Sequence, residues 1–78
     1  MSISNVFVAG RQFQVLSDFV SSTSSFQLAE VLEFIRIVYS TYDDADLFEF
    51  AARDGSIKTW WRPRQESEDR WKDLFRPV

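Results

Sequence analysis

The runs Leu47-Phe-Glu-Phe-Ala-Ala-Arg53 and Ser56-Ile-Lys-Thr-Trp-Trp-Arg62 stand on either side of Asp54-Gly55. Asp-Gly is a preferred pair for the two-residue type I′ turn, so a β-hairpin is predicted here. Such a turn dictates register. Ala52 then opposes Ile57, Phe50 opposes Thr59 and Phe48 opposes Trp61, all on the predicted core face. Leu47, Glu49 and Ala51 against Arg62, Trp60 and Lys58 point outward. Pro63 ends the second strand because it has no N–H to give to a ladder.

Upstream, Asn5 to Gly10 is a short strand-prone run, and Gln12 to Phe19 follows with Phe13, Val15 and Phe19 at even or near-even spacing. This reads as two strands joined at Gly10-Arg11, or as one strand bulged at Gly10. The serine-rich stretch 21–25 supplies a helix start, with Ser24 as N-cap and Gln27 three residues later. A helix to about Tyr42 is predicted. At helical spacing, Leu28, Val31, Leu32, Phe34, Ile35, Val38, Tyr39 and Tyr42 share one face, with Glu30, Glu33, Arg36 and Ser40 opposite. Phe26 and Ile37 fall on the polar side. Asp43, Asp44 and Asp46 mark the helix end, where the macrodipole disfavours acids. Gln65 to Phe75 reads as a short terminal helix carrying Trp71, Leu74 and Phe75.

The expected fold class is therefore α+β: two hairpins flanking one long helix that covers the sheet, in ββαββ order, then a short C-terminal helix. In topology this order is similar to the β-grasp arrangement. Seventy-eight residues suit one small domain, 1–78, and a chain of this size has a thin core. Eight Phe, three Trp and two Tyr are an efficient way to fill it. Phe34, Phe48, Phe50 and Trp61 are assigned to that core.

With no His and no Cys, the usual general base, thiolate nucleophile and zinc ligands are missing. No catalytic residue, metal or cofactor is expected, and the acids around Asp43 lack the spacing of a calcium loop. Met1 to Val8 has no basic segment of a leader, and no apolar run is long enough to span a membrane. A cytoplasmic location is expected, in the host cell if the protein is phage-encoded.

Net charge is −3, unevenly spread. Residues 1–50 carry two basic and seven acidic side chains, giving −5, and residues 51–78 carry seven and five, giving +2. Two candidate partner-binding surfaces follow. One is the acidic helix face with Phe26, Glu30, Glu33 and Ile37, extended by Asp43, Asp44 and Asp46. The other is the basic strip of Lys58, Trp60, Arg62 and Arg64, where an outward Trp could anchor a protein or stack on a base.

In composition the chain resembles phage- or mobile-element-encoded inhibitors such as anti-CRISPR proteins, and toxin-neutralising immunity proteins. That resemblance implies a non-enzymatic inhibitor occupying the basic surface of a nucleic-acid-binding enzyme or complex. The alternatives are a small RNA- or single-strand-binding module using the Trp60 strip, which offers little counterion release in an acidic chain, and a homo-oligomer paired through strand edges or Trp60 faces.

Overall fold

The computed structural model describes residues 6–78, the side chain of Glu68 excepted. It overturns the α+β expectation. The chain forms β1 (Gln12–Val15), β2 (Phe19–Ser21), β3 (Ser24–Phe26), β4 (Val31–Ser40), β5 (Ala45–Ala51), β6 (Ile57–Pro63), a single helical turn α1 (Trp71–Leu74) and β7 (Phe75–Pro77). Five strands make one antiparallel sheet in the order β6-β5-β4-β1-β7, and β2 pairs with β3 as a separate hairpin. No long helix covers the sheet, and the β-grasp order does not apply. The expected strand start at Asn5 and the leader reading of residues 1–5 lie outside the described residues.

The segment read as a helix is the ten-residue strand β4 and the turn before it. Val31, Ile35, Ile37 and Val38 are β-branched, and such side chains fit a pleated surface better than a helix. Its inward positions are Leu32 and Phe34, then Ile37 and Tyr39, because the ladder to β5 shifts register between Phe34 and Arg36. That bulge breaks the period of two, and the resulting two-three-two spacing imitates a helical stripe. The predicted N-cap, Ser24, opens strand β3, and Gln27 begins a turn over residues 27–30, where Glu30 N donates to Gln27 O and Ala29 sits at φ 71°.

The β5–β6 hairpin forms, with a different turn. Gly55 N donates to Ala52 O and Ala52 N to Ser56 O, which makes a three-residue loop, Arg53-Asp54-Gly55, with Gly55 at φ 87°. Asp54 accepts from Ser56 N (2.9 Å) and Ser56 Oγ (2.6 Å), and these two bonds hold its carboxyl below the usual Asp value. The extra loop residue moves the register by one. Ala51 opposes Ile57, Phe50 opposes Lys58, Phe48 opposes Trp60 and Leu47 opposes Trp61. Every β6 side chain is thereby on the face opposite to the predicted one.

Before β1 the chain turns rather than forming a hairpin strand. Arg11 N donates to Val8 O, and Gly10 at φ 89° takes the third position of that turn. Val6 and Phe7 then fold across the sheet. Phe7 stacks on Phe13 (centroids 4.6 Å) and meets Phe48 and Trp71 edge-on. With Phe26, Phe34, Phe50, Trp60 and Phe75 it forms a core built largely of aromatic rings. Phe34, Phe48 and Phe50 are buried as expected, while Trp61, assigned to the core, is 38% exposed.

Candidate functional site

Closure of the fold decides which polar side chains remain free. The β2–β3 hairpin turns through Ser22-Thr23, with Ser22 at φ 54°, and lays its serines along the outer edge of β6. Ser24 Oγ accepts from Thr59 N (2.9 Å) and Ser21 Oγ from Trp61 N (2.7 Å). These hydroxyls satisfy amides that an edge strand otherwise leaves open. Lys58 completes the seam, donating to Ser25 O (2.7 Å) and pairing with Glu30 (2.7 Å), its ammonium 5.8 Å from the centre of the Phe26 ring.

The two predicted surfaces are redistributed by this arrangement. Phe26 is fully buried, stacked on Phe19 (centroids 4.6 Å), and Trp60 is buried against Phe48 at the same separation. Arg62 is buried, pairs with Asp46 (3.2 Å) and donates to Glu66 O (2.8 Å), leaving its Nε without a partner among the described residues. Lys58 and Glu30 are spent on each other. Glu33 lies exposed on the outer face of β4, opposite Ala51. The structure does not gather the basic strip into a surface.

Asp44 and Arg64 do come together, through Tyr39, at the far end of the β4–β5 hairpin, with Asp43 in the same turn and Ile37 two residues before Tyr39 on β4. Ile37 opposes Phe48 on the inner face yet is 37% exposed, because the cover over the core stops short of it. Tyr39 OH donates to Asp44 (2.9 Å), which raises the phenol pKa above its ordinary value, and the Arg64 guanidinium lies 4.6 Å from the Tyr39 ring centre. Arg64 N donates to Asp44 O (3.1 Å), tying the turn to the end of β6. Asp43 accepts from Ser40 Oγ (3.2 Å). Neither Asp43 nor Asp44 is in an ion pair among the described residues. Tyr42 stands at this turn 97% exposed.

Val38 and Trp61, which the sequence reading placed in the core, and Leu47, which it placed outward, complete the surface. On the outer face, Val38 opposes Leu47 and Leu47 opposes Trp61, an apolar row across three consecutive strands. Val38 and Trp61 are each exposed by more than a third. On one side of the row lies the Arg36–Glu49 ion pair, on the other the turn bearing Tyr42, Asp43 and Asp44. Trp61 also walls a shallow groove with Val20, Ser22, Pro63, Glu66 and Arg70. The sequence signal for Trp61 was the hairpin itself, read one residue out of register.

Of the acids Asp43, Asp44, Asp46 and Glu49, Asp46 pairs with Arg62 and Glu49 with Arg36, and no group of three potential metal ligands occurs among the described residues. No described helix is long and apolar enough to cross a membrane.

No family model matches the sequence, and no curated protein matches it. Among solved structures, an integron cassette protein from the mobile metagenome of Vibrio cholerae is similar, with a TM-score of 0.75 and 16% identity over 95% of this chain and 91% of that one. At that identity the likeness establishes a shared fold.

Proposed function

We propose that the protein is a non-enzymatic protein-binding module that acts by occupying a partner's surface, through the outer face of its sheet. The observation that carries this reading is the Val38–Leu47–Trp61 row, an apolar strip left open between the Arg36–Glu49 ion pair and the acidic turn. Trp and Tyr are the residues that most often dominate binding energy, surrounded by polar groups that exclude water. Trp61 supplies the anchor, and Tyr42 with Asp43, Asp44 and Glu33 supplies an acidic rim. The complementary partner presents an apolar pocket with a basic border, as the nucleic-acid-binding face of an enzyme does, and covering such a face is inhibition. The mobile-metagenome origin of the structural neighbour is in keeping with a mobile-element setting.

The test is affinity capture from the source organism with wild type, Trp61→Ala and the double reversal Asp43→Lys/Asp44→Lys. The reading expects a protein retained by wild type after nuclease treatment, lost with Trp61→Ala and weakened at least about tenfold by the reversal. Equal retention by all three proteins refutes it. So does saturable quenching of tryptophan fluorescence by single-stranded oligonucleotides, which would restore the nucleic-acid alternative.

A further inference from the structure

Strand β4 outruns its neighbour. β1 pairs with it from Val31 to Glu33, and the last backbone bonds on that side are Gly10 N to Phe34 O and Phe34 N to Arg11 O. There the Gly10 turn carries the chain away across the core, so residues 36–40 pair, among the described residues, with β5 alone. Phase tells which groups are left open. The Thr59 and Trp61 amides point away from β5, since they bond to serines. Direction alternates residue by residue in an antiparallel ladder, so Phe48 and Asp46 face β6 while Glu49, Leu47 and Ala45 face β4. Their partners Arg36, Val38 and Ser40 are therefore satisfied, and the N–H and C=O groups of Ile37 and Tyr39 point outward. No β-ladder partner meets them among the described residues.

The other edges are protected. Serine hydroxyls cap β6, which ends at Pro63, and β7 is three residues long and ends at Pro77. Among the described residues, the open part of β4 has no such device. Its side chains include Ile37, Val38 and Tyr39, all substantially exposed.

We infer that residues 36–40 pair antiparallel with the same segment of a second copy of this chain, about a two-fold axis at Val38. The segment is self-complementary in that register. Ile37 of each chain faces Tyr39 of the second copy, and each such pair exchanges both of its open backbone bonds. Val38 meets Val38 of the second copy as the close, non-hydrogen-bonded pair. Arg36 lies across from Ser40 of the second copy, whose hydroxyl holds Asp43, so opposite charges meet at both ends. The two sheets become one, and the two Val38–Leu47–Trp61 rows join into a single apolar band across it. This pairing needs no outside partner.

Sedimentation equilibrium of the full chain, from about 1 to 500 µM, tests it, because a dimer of this kind is governed by mass action. A concentration-dependent dimer is expected. Ile37→Lys, which sets a charge beside Tyr39 of the second copy on the inner face, raises the dissociation constant at least about tenfold, as does Asp43→Arg through repulsion of Arg36 from the second copy. Trp61→Ala leaves the dimer intact, which separates this inference from the proposed function. A chain monomeric throughout the range overturns it, as does a dimer indifferent to Ile37→Lys and Asp43→Arg.

Discussion

Trp61 donates its backbone amide to the hydroxyl of Ser21, forty residues earlier in the chain, at 2.7 Å. With the Ser24–Thr59 bond, this contact makes a serine-rich segment the cap of a strand edge. Removing the hydroxyl leaves each amide to water or to a neighbouring chain.

Ser21→Ala and Ser24→Ala each therefore cost about 0.5–1.5 kcal/mol in chemical denaturation, the net worth of one hydrogen bond. The double variant also exposes a longer open edge and aggregates at lower concentration in light scattering. Thr23→Ala, in the turn between these strands, is the control and leaves both measurements near wild type.

Ala29 is held at φ 71°, where a Cβ crowds the following carbonyl. Both neighbouring backbone ties are firm, with Ala29 N donating to Val15 O and Val15 N to Glu30 O at 2.8 Å, so the conformation cannot relax without breaking the β1–β4 ladder. Ala29→Gly removes the crowding and stabilises the fold by about 0.5–1 kcal/mol after the added freedom of the unfolded chain is counted. A raised denaturation midpoint with an unchanged slope checks it.

Asp54 ties the β5–β6 loop together through Ser56, and its folded pKa lies below the ordinary 3.8. A depressed carboxylate pKa means that the native state binds fewer protons, so its contribution is present above the unfolded value and is lost as pH falls through the folded one. The stability difference between wild type and Asp54→Ala is thus largest above pH ~4 and shrinks in more acidic solution. Urea titrations of both proteins across that range measure it, and the difference cancels the other titrating acids.

The aromatic core was partly legible. Phe34, Phe48 and Phe50 are buried because alternate positions of a strand share a face and Phe dominates the inward ones. The hairpin was legible and its register was not, since Asp-Gly serves both a two-residue type I′ turn and a three-residue loop with Gly55 in the left-handed position. That single residue exchanged Trp60 and Trp61, and moved the functional reading from one to the other. β4 was misread as helix because the bulge at Ile35 converts strand alternation into a near-helical stripe. Phe26 and Ile37, which fitted no helical face, were the residues at odds with that reading. Asp44 and Arg64 meet only through the β4–β5 turn, a tertiary fact with no local signature.

The register of β6 underlies the proposed surface, and the adjacent tryptophans report on it directly. Trp60, 3% exposed and packed on Phe48 and Phe75, loses about 3–5 kcal/mol of stability on replacement by Ala. Trp61, on the outer face and no part of the buried aromatic cluster, loses less than about 1 kcal/mol. Guanidinium denaturation of Trp60→Ala and Trp61→Ala side by side makes the comparison. A large loss for Trp60→Ala with a small one for Trp61→Ala is the expected result; the reverse order would put Trp61 in the core and contradict the surface built on it.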